Sequence, residues 1–258
     1  MLDFKEKTAL ITGGGGYIGG ECAFRLASLG ANVAVCDISR ESLDRTVDRI
    51  RNAGGKARGY LIDVTNSESV NEVVDKVCCD LGKLDISIHV AGGSARIAGA
   101  DAKYLPLYEQ EDKVIDSVLK VNLYGAIYVA RAAARKMISQ GCGGRIISFS
   151  SVVGLNGLST CTEYAAAKGG VISMTKSLAK EVGQFGITVN TVAPGIVVRP
   201  DENVSPDRAY NTNFLHKKCT AANVADLVAF LASEEAGFIT GQTYVCDGGR
   251  SLAMKGSD

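Results

Sequence analysis

The chain has 258 residues, 46% of them hydrophobic, with 28 basic residues set against 28 acidic ones. That balance excludes a disordered chain, allows a substantial buried core, and gives no reason to look for nucleic acid or an anionic membrane surface as the main partner. No apolar run nears the roughly 18 residues a membrane helix needs, and the opening Met1-Leu2-Asp3-Phe4-Lys5-Glu6-Lys7 is too charged for a secretion signal, so a cytoplasmic location is expected.

Short β-branched runs fall at 8–12, 32–36, 57–62, 86–90, 145–150, 188–193 and 243–246. Between them lie helical patterns near 18–29, 40–53, 67–81, 111–139, 163–185 and 222–233. Most of the strand runs are continuously apolar, as strands buried on both faces of a parallel sheet must be. The alternation continues to the end without a linker, which predicts a single α/β domain over 1–258. Its expected form is a doubly wound, mainly parallel, seven-stranded sheet with helices on both faces. Two long loops break the rhythm, 92–110 and 198–218, and loops of that length are often lids or pocket walls. The second is the stronger candidate for a substrate loop.

Eight cysteines are scattered over the chain without a C-x-x-C pair, so they read as small hydrophobes rather than a disulfide framework. The only histidines, His89 and His216, lie far apart and form no zinc cluster, so no metal is expected.

The first strand run ends in Thr12-Gly13-Gly14-Gly15-Gly16-Tyr17-Ile18-Gly19-Gly20, directly before a helix pattern. Gly14, Gly16 and Gly19 fit G-x-G-x-x-G, and Gly13, Gly16 and Gly19 fit a second spacing. Glycine lets the backbone turn tightly against a pyrophosphate, and the helix start offers unpaired N–H groups to it. A glycine string alone is a flexible loop, but its place between strand and helix is that of a Rossmann-type dinucleotide site. The second strand run is followed by Asp37 and Ile38. A carboxylate there accepts hydrogen bonds from ribose hydroxyls and repels a 2′-phosphate, which favours NAD over NADP. Helix capping is the bland role for Asp37, and the nearby Arg40 could still meet a phosphate. Asp63-Val64, after the third run, can reach the adenine, with N-capping again the alternative. Ala91-Gly92, after the fourth, lets a flat cofactor lie over the strand ends.

Tyr164-Ala165-Ala166-Ala167-Lys168 places a phenol and an ammonium on one helix face. Free tyrosine titrates near pH 10, too high for acid/base work near neutrality, and a neighbouring cation lowers that value. Alone the pattern is as often a surface tyrosine beside a solvated lysine. Ser151, after the fifth run, could hold a reacting oxygen, although Ser148 and Ser150 compete with it. Asn122 sits mid-helix, where its propensity is no advantage, and could order a proton-relay water or simply pack.

In this order and spacing the residues resemble the short-chain dehydrogenase/reductase family, in its compact single-domain branch. The resemblance spans nearly the whole chain: the glycine turn, Asp63, Ala91-Gly92, Asn122, Ser151, Tyr164, Lys168, Pro194-Gly195 and the closing Asp247-Gly248-Gly249. It implies that Tyr164 is the general acid/base, that Lys168 lowers its pKa and binds the nicotinamide ribose, that Ser151 orients the carbonyl or hydroxyl, and that Asn122 sustains a water relay. It also implies that Pro194, Gly195 and Val197 meet the nicotinamide end, while Gly13, Gly16, Tyr17, Ile18 and Gly19 hold the pyrophosphate. The family is usually tetrameric or dimeric, so a homotetramer is the expected assembly. Three positions depart from its pattern: Tyr17 replaces a glycine, His89-Val90 replaces an Asn-Asn pair, and Arg199 replaces a common threonine.

The expected reaction is hydride transfer between NAD(H) and a secondary alcohol or ketone. Ser94, Arg96, Asp101, Lys103, Arg199, Asp201, Glu202 and Asn203 in the two loops suit a polar substrate such as a sugar, polyol or sugar acid. Ser94, Arg96, Ser151 and Arg199 are the candidate substrate residues, with the arginines able to receive an anionic group. A 3-oxoacyl thioester reductase is the alternative, and a non-catalytic dinucleotide sensor is a third reading that the complete Ser151, Tyr164 and Lys168 set opposes.

Overall fold

The computed structural model of the protein describes residues 2–99, 102–199, 205 and 211–252, with the side chains of Ala95 and Arg96 excepted. Seven strands, β1 (Thr8–Thr12), β2 (Asn32–Asp37), β3 (Lys56–Leu61), β4 (Ile86–His89), β5 (Gly144–Phe149), β6 (Ile187–Pro194) and β7 (Thr243–Cys246), form one sheet. Its order is β3-β2-β1-β4-β5-β6-β7, and every pairing is parallel. β1 and β6 are buried at every position, because helices cover both sides. β3 instead alternates in exposure along Lys56–Leu61, as an edge strand does.

The helices are α1 (Tyr17–Ser28), α2 (Arg40–Asn52), α3 (Ser67–Leu81), α4 (Asp112–Leu119), α5 (Gly125–Gln140), α6 (Val152–Asn156), α7 (Thr162–Val182) and α8 (Ala221–Ala232). One core packs Leu26 of α1, Leu43 of α2 and Val224 and Val228 of α8 against Val33, Ile88 and Val192. The opposite core packs Val74 of α3, Val129 and Met137 of α5 and Val182 of α7 against Leu10, Ile146 and Val189. Burial on this scale is the dominant stabilising term, at roughly 25 cal/mol per Å² of apolar surface.

Two local features correct the expectations from sequence. The helical pattern 111–139 is broken by a π turn at Lys120–Tyr124, which separates α4 from α5. Such a bulge adds one residue and shifts the phase of the apolar stripe by about 100° without ending it, so the spacing reads as one helix. The second correction concerns capping. Ser39 caps α2 by accepting from Ser42 N at 3.3 Å, and Asn66 caps α3 by accepting from Glu68 N at 2.8 Å and Ser69 N at 3.2 Å. Asp37 and Asp63 are therefore not the helix caps.

The strand order turns at β1, where chain flow toward β2 and β3 reverses toward β4 and β5. A crevice opens beyond the carboxyl ends of the strands at such a point. No helix among the described residues is long and apolar enough to cross a membrane.

Candidate active site

That crevice is a cavity of about 650 Å³. Gly13, Gly16, Tyr17, Ile18 and Gly19 line it on the β1–α1 side, with Asp37 and Ile38 at the end of β2. Asp63 and Val64 follow from the end of β3, Ala91 and Gly92 from β4, and Val197 and Arg199 from beyond β6. Gly14 is not part of this wall; it is buried against Val35 of β2. Of the two glycine spacings, Gly13, Gly16 and Gly19 is thus the one facing the cavity.

Sterics explain the glycines. Gly13 has φ +66°, and a Cβ there would lie 2.7 Å from Ala91 N. A Cβ on Gly19 would run into the Gly13 carbonyl. Gly16 opens α1 without a side-chain cap, and the first turn of α1 carries no acid. Its N–H groups and the positive end of the helix dipole are left to face an anion, as a pyrophosphate cradle requires.

Asp37 projects back over the turn. Its carboxylate accepts from Gly15 N at 2.9 Å and Ser39 N at 3.0 Å, which fixes a negative charge at the mouth of the cavity. Arg40 points away and pairs with Asp44 on the exposed surface of α2, at 3.8 Å. Asp63 accepts from Thr65 N at 2.9 Å and Thr65 Oγ1 at 2.7 Å, an Asx turn that holds it in the wall. Ile62, Val64 and Val121 give the same region apolar surface suited to a flat ring.

At the inner end, Gly92 joins the cavity to the polar cluster. A Cβ on Gly92 would meet Asn122 Oδ1 at 2.5 Å and Lys168 Nζ at 3.1 Å. Lys168 is buried on α7 and donates to the Phe149 carbonyl at 2.8 Å. Its ammonium stands 5.7 Å from the centre of the Tyr164 ring. Burial pushes Lys168 down to about 8. Ser151 Oγ lies close enough to the Tyr164 phenol to act on its acidity, and it caps the short α6 by accepting from Val153 N at 3.2 Å. Its two rivals are placed elsewhere: Ser148 is fully buried in β5, and Ser150 donates to the Lys168 carbonyl at 2.8 Å.

The chain's own groups hold Tyr164 above the usual phenol range. Burial is the largest cause, and the Ser151 hydroxyl only partly opposes it. The lowering expected from the Lys168 ammonium, with the positive charge of an oxidised nicotinamide beside it, has this desolvation to overcome.

The side chain of Asn122 is also committed. In the π turn it accepts from Gly93 N at 3.0 Å and donates to the Gly93 and Val118 carbonyls at 2.7 and 2.9 Å. It ties the loop after β4 to the helix; both amide hydrogens are used, while Oδ1 keeps one lone pair beyond the bond from Gly93 N.

His89 shows how one family departure is absorbed. Its Nδ1 hydrogen bonds with Thr12 Oγ1 at 2.9 Å, stitching β4 to β1 where the family's asparagine would stand. Burial, reinforced by the nearby Lys168 charge, pushes the imidazole down to about 3, so it is neutral and acts as a tie. Tyr17 begins α1 in the cavity wall, so glycine is dispensable there.

Of the candidate substrate residues, Ser94 hydrogen bonds with Tyr104 through their hydroxyls at 2.6 Å. Tyr104 also lies in the neighbourhood of Tyr164. It was not among the residues singled out in the sequence, and a tyrosine in a long loop carries no local signal of such a meeting. Arg199 is exposed and lies on the wall of the dinucleotide cavity rather than in a separate substrate pocket. The Arg96 side chain, Asp101, Asp201, Glu202 and Asn203 lie outside the described residues. Ala98, Ala102, Val114 and Val118 form a small apolar cluster against Tyr164. Pro194 ends β6, and Gly195 donates to the Cys246 carbonyl at 3.0 Å, so both support the segment that brings Val197 to the cavity.

Comparison with known proteins agrees with this arrangement. A family model described as enoyl-(acyl carrier protein) reductase matches residues 16–251. A 3-oxoacyl-[acyl-carrier-protein] reductase of Thermotoga maritima is 37% identical over 96% of this chain and 99% of its own. The human (3R)-3-hydroxyacyl-CoA dehydrogenase is 36% identical, covering 95% of each chain. The crystal structure of a short-chain type dehydrogenase/reductase from Mycobacterium marinum superimposes with a TM-score of 0.88 at 30% identity, over 97% of both chains. The chain belongs to the short-chain dehydrogenase/reductase family of oxidoreductases, whose cofactor is a nicotinamide dinucleotide.

Proposed function

We propose that this enzyme interconverts a secondary alcohol and a ketone with NAD(H), on a small polar substrate such as a sugar, polyol or sugar acid. The observation that carries the substrate reading is the Ser94–Tyr104 hydroxyl pair beside Tyr164, which offers a second polar contact next to the reacting group. A nicotinamide dinucleotide held along Gly13, Gly16, Gly19 and Asp37 would supply the hydride chemistry. Tyr164 exchanges the proton with the substrate oxygen, and Ser151 holds that oxygen beside the phenol. Lys168 keeps a positive charge under the site, and Asn122 positions Gly93 and the loop that carries Ser94. A relay water, if the backbone of the π turn holds one, would lead from Lys168 to solvent.

Turnover across a panel of polyols, sugar acids, hydroxy acids and 3-hydroxyacyl thioesters tests the reading. Preference for the polyhydroxylated compounds is the expected result. Tyr104→Phe should then raise KM about threefold, as the loss of one solvent-accessible hydrogen bond does, with kcat changed less. A KM unaltered for every substrate would remove Tyr104 from recognition. A 3-oxoacyl thioester reductase is the second reading. It is favoured by the names of the relatives from Thermotoga maritima and human, and by the small apolar cluster of Ala98, Ala102, Val114 and Val118 against Tyr164. Thioester turnover without polyol turnover would select it.

For the cofactor we propose NAD, on the fixed Asp37 carboxylate and the outward Arg40. NADH should bind at least about tenfold tighter than NADPH, since a 2′-phosphate would face an uncompensated carboxylate. Asp37→Ala should narrow that ratio, and equal affinities in the unmutated protein would exclude this role. The assembly we propose is a homo-oligomer: the partly exposed Ile127 and Ile138 of α5 and Met174 and Leu178 of α7 line one shallow groove that a second copy could cover.

A further inference from the structure

Outside the catalytic cluster, one pair of reactive groups is brought together from distant parts of the chain. Cys219 follows the 198–218 loop, and Cys246 ends β7. Both thiols are free and partly exposed, and both line a cavity of about 200 Å³ separate from the dinucleotide cleft. The two thiols meet across this cavity, close enough for each to act on the acidity of the other. Their other sulfur contacts are long ones, Cys219 to the Thr220 carbonyl at 3.7 Å and Cys246 to the Asn223 carbonyl at 3.9 Å.

The backbones of the same two residues hold the nicotinamide end of the site. The Cys246 carbonyl accepts from Gly195 N at 3.0 Å, and the Cys219 carbonyl accepts from Val198 N at 3.0 Å. Between and beside these anchors, Val197 and Arg199 reach the wall of the dinucleotide cavity. The thiol pair thus spans the two anchors of the 195–198 segment.

We propose that Cys219 and Cys246 form a reversible disulfide that weakens dinucleotide binding by shifting the two carbonyl anchors of the 195–198 segment. A disulfide sets its sulfurs about 2.05 Å apart and holds the two Cα atoms within about 4.4–6.8 Å, so forming it clamps the two backbones that carry these carbonyls. The chemistry needs an oxidant of the peroxide class. The Cys246 sulfur attacks one peroxide oxygen, the O–O bond breaks, and the thiol proton leaves with the other oxygen as water, giving a sulfenic acid. The Cys219 sulfur then attacks that sulfur; the S–S bond forms, the S–O bond breaks, and the Cys219 proton leaves with hydroxide as a second water. The two thiols lose two electrons and the peroxide gains them. Acidity supports Cys246 as the first nucleophile. The neighbouring Cys219 thiol holds Cys246 below the usual thiol range, at about 7, and is itself pushed up.

The test is titration of the unmutated protein with hydrogen peroxide, followed by intact mass, peptide mapping, and NADH and NADPH binding by fluorescence. The expected product is lighter by about two mass units, consistent with one disulfide. It carries a Cys219–Cys246 peptide, binds its preferred dinucleotide about fivefold more weakly, and recovers with dithiothreitol. Cys219→Ser should keep its affinity under limiting peroxide and leave a trappable sulfenic acid on Cys246. A Cys219–Cys246 disulfide with unchanged affinity would overturn the proposal. So would oxidation of the exposed Cys79 or Cys142 with the pair still reduced. Binding is the readout, so the result does not depend on which substrate the enzyme takes.

Discussion

Replacing Tyr164 with phenylalanine is expected to lower kcat/KM by about three orders of magnitude while leaving dinucleotide affinity within about twofold. The argument rests on what the hydroxyl touches. It faces Ser151, the residue proposed to hold a substrate oxygen. The ring itself packs against Val114 and Val118, and phenylalanine retains that packing. Removing one oxygen therefore deletes the proton donor without opening a cavity. The substrate must then exchange its proton with water, and positioned acid/base groups are worth about 10²–10⁴ in rate. Steady-state kinetics with any substrate found, paired with fluorescence titration of the cofactor, decides the matter. Undiminished kcat/KM would move the acid/base role to another group.

Much of this site is legible in the chain because its parts are local. The Gly13–Gly19 turn sits between a buried strand and a helix start, and Tyr164 and Lys168 are neighbours on one helix face. The sheet is legible because strands covered on both sides must be continuously apolar, and β1 reads that way. What escapes reading depends on register or on packing between distant segments. The Thr12–His89 tie exists because β1 and β4 align those two residues. The Ser94–Tyr104 and Cys219–Cys246 pairs require loop paths that no periodicity encodes. The π turn hides inside uninterrupted helical spacing, yet it carries the Asn122 side chain that grips Gly93. The outcome at Tyr164 is instructive as well. The spacing to Lys168 suggests a lowered pKa, whereas the structure adds the desolvation that raises it.

Lys168→Met should separate the two functions of this lysine. Its ammonium is buried, bonded to the Phe149 carbonyl at 2.8 Å, and pushed down to about 8 by desolvation. For catalysis, the proposed role of the charge is to counter the burial that raises Tyr164. Alcohol oxidation requires the phenolate, so its rate climbs as pH rises through the Tyr164 pKa. Without the lysine that climb should move upward by about one pH unit, with kcat at neutral pH lower by about 10². For stability, the sign follows from proton counts. Between about pH 8 and the unfolded lysine value near 10.4, the unfolded chain carries a proton that the folded one has released. Stability contributed by this group therefore rises with pH across that window, by roughly 3 kcal/mol, and is flat below it. Methionine has no proton to exchange, so the variant should lose that slope in urea melts taken between those two values, whatever its absolute stability. A slope that survives the substitution would mean that Lys168 keeps its ordinary acidity in the fold, and that the positive charge beneath Tyr164 costs the protein little.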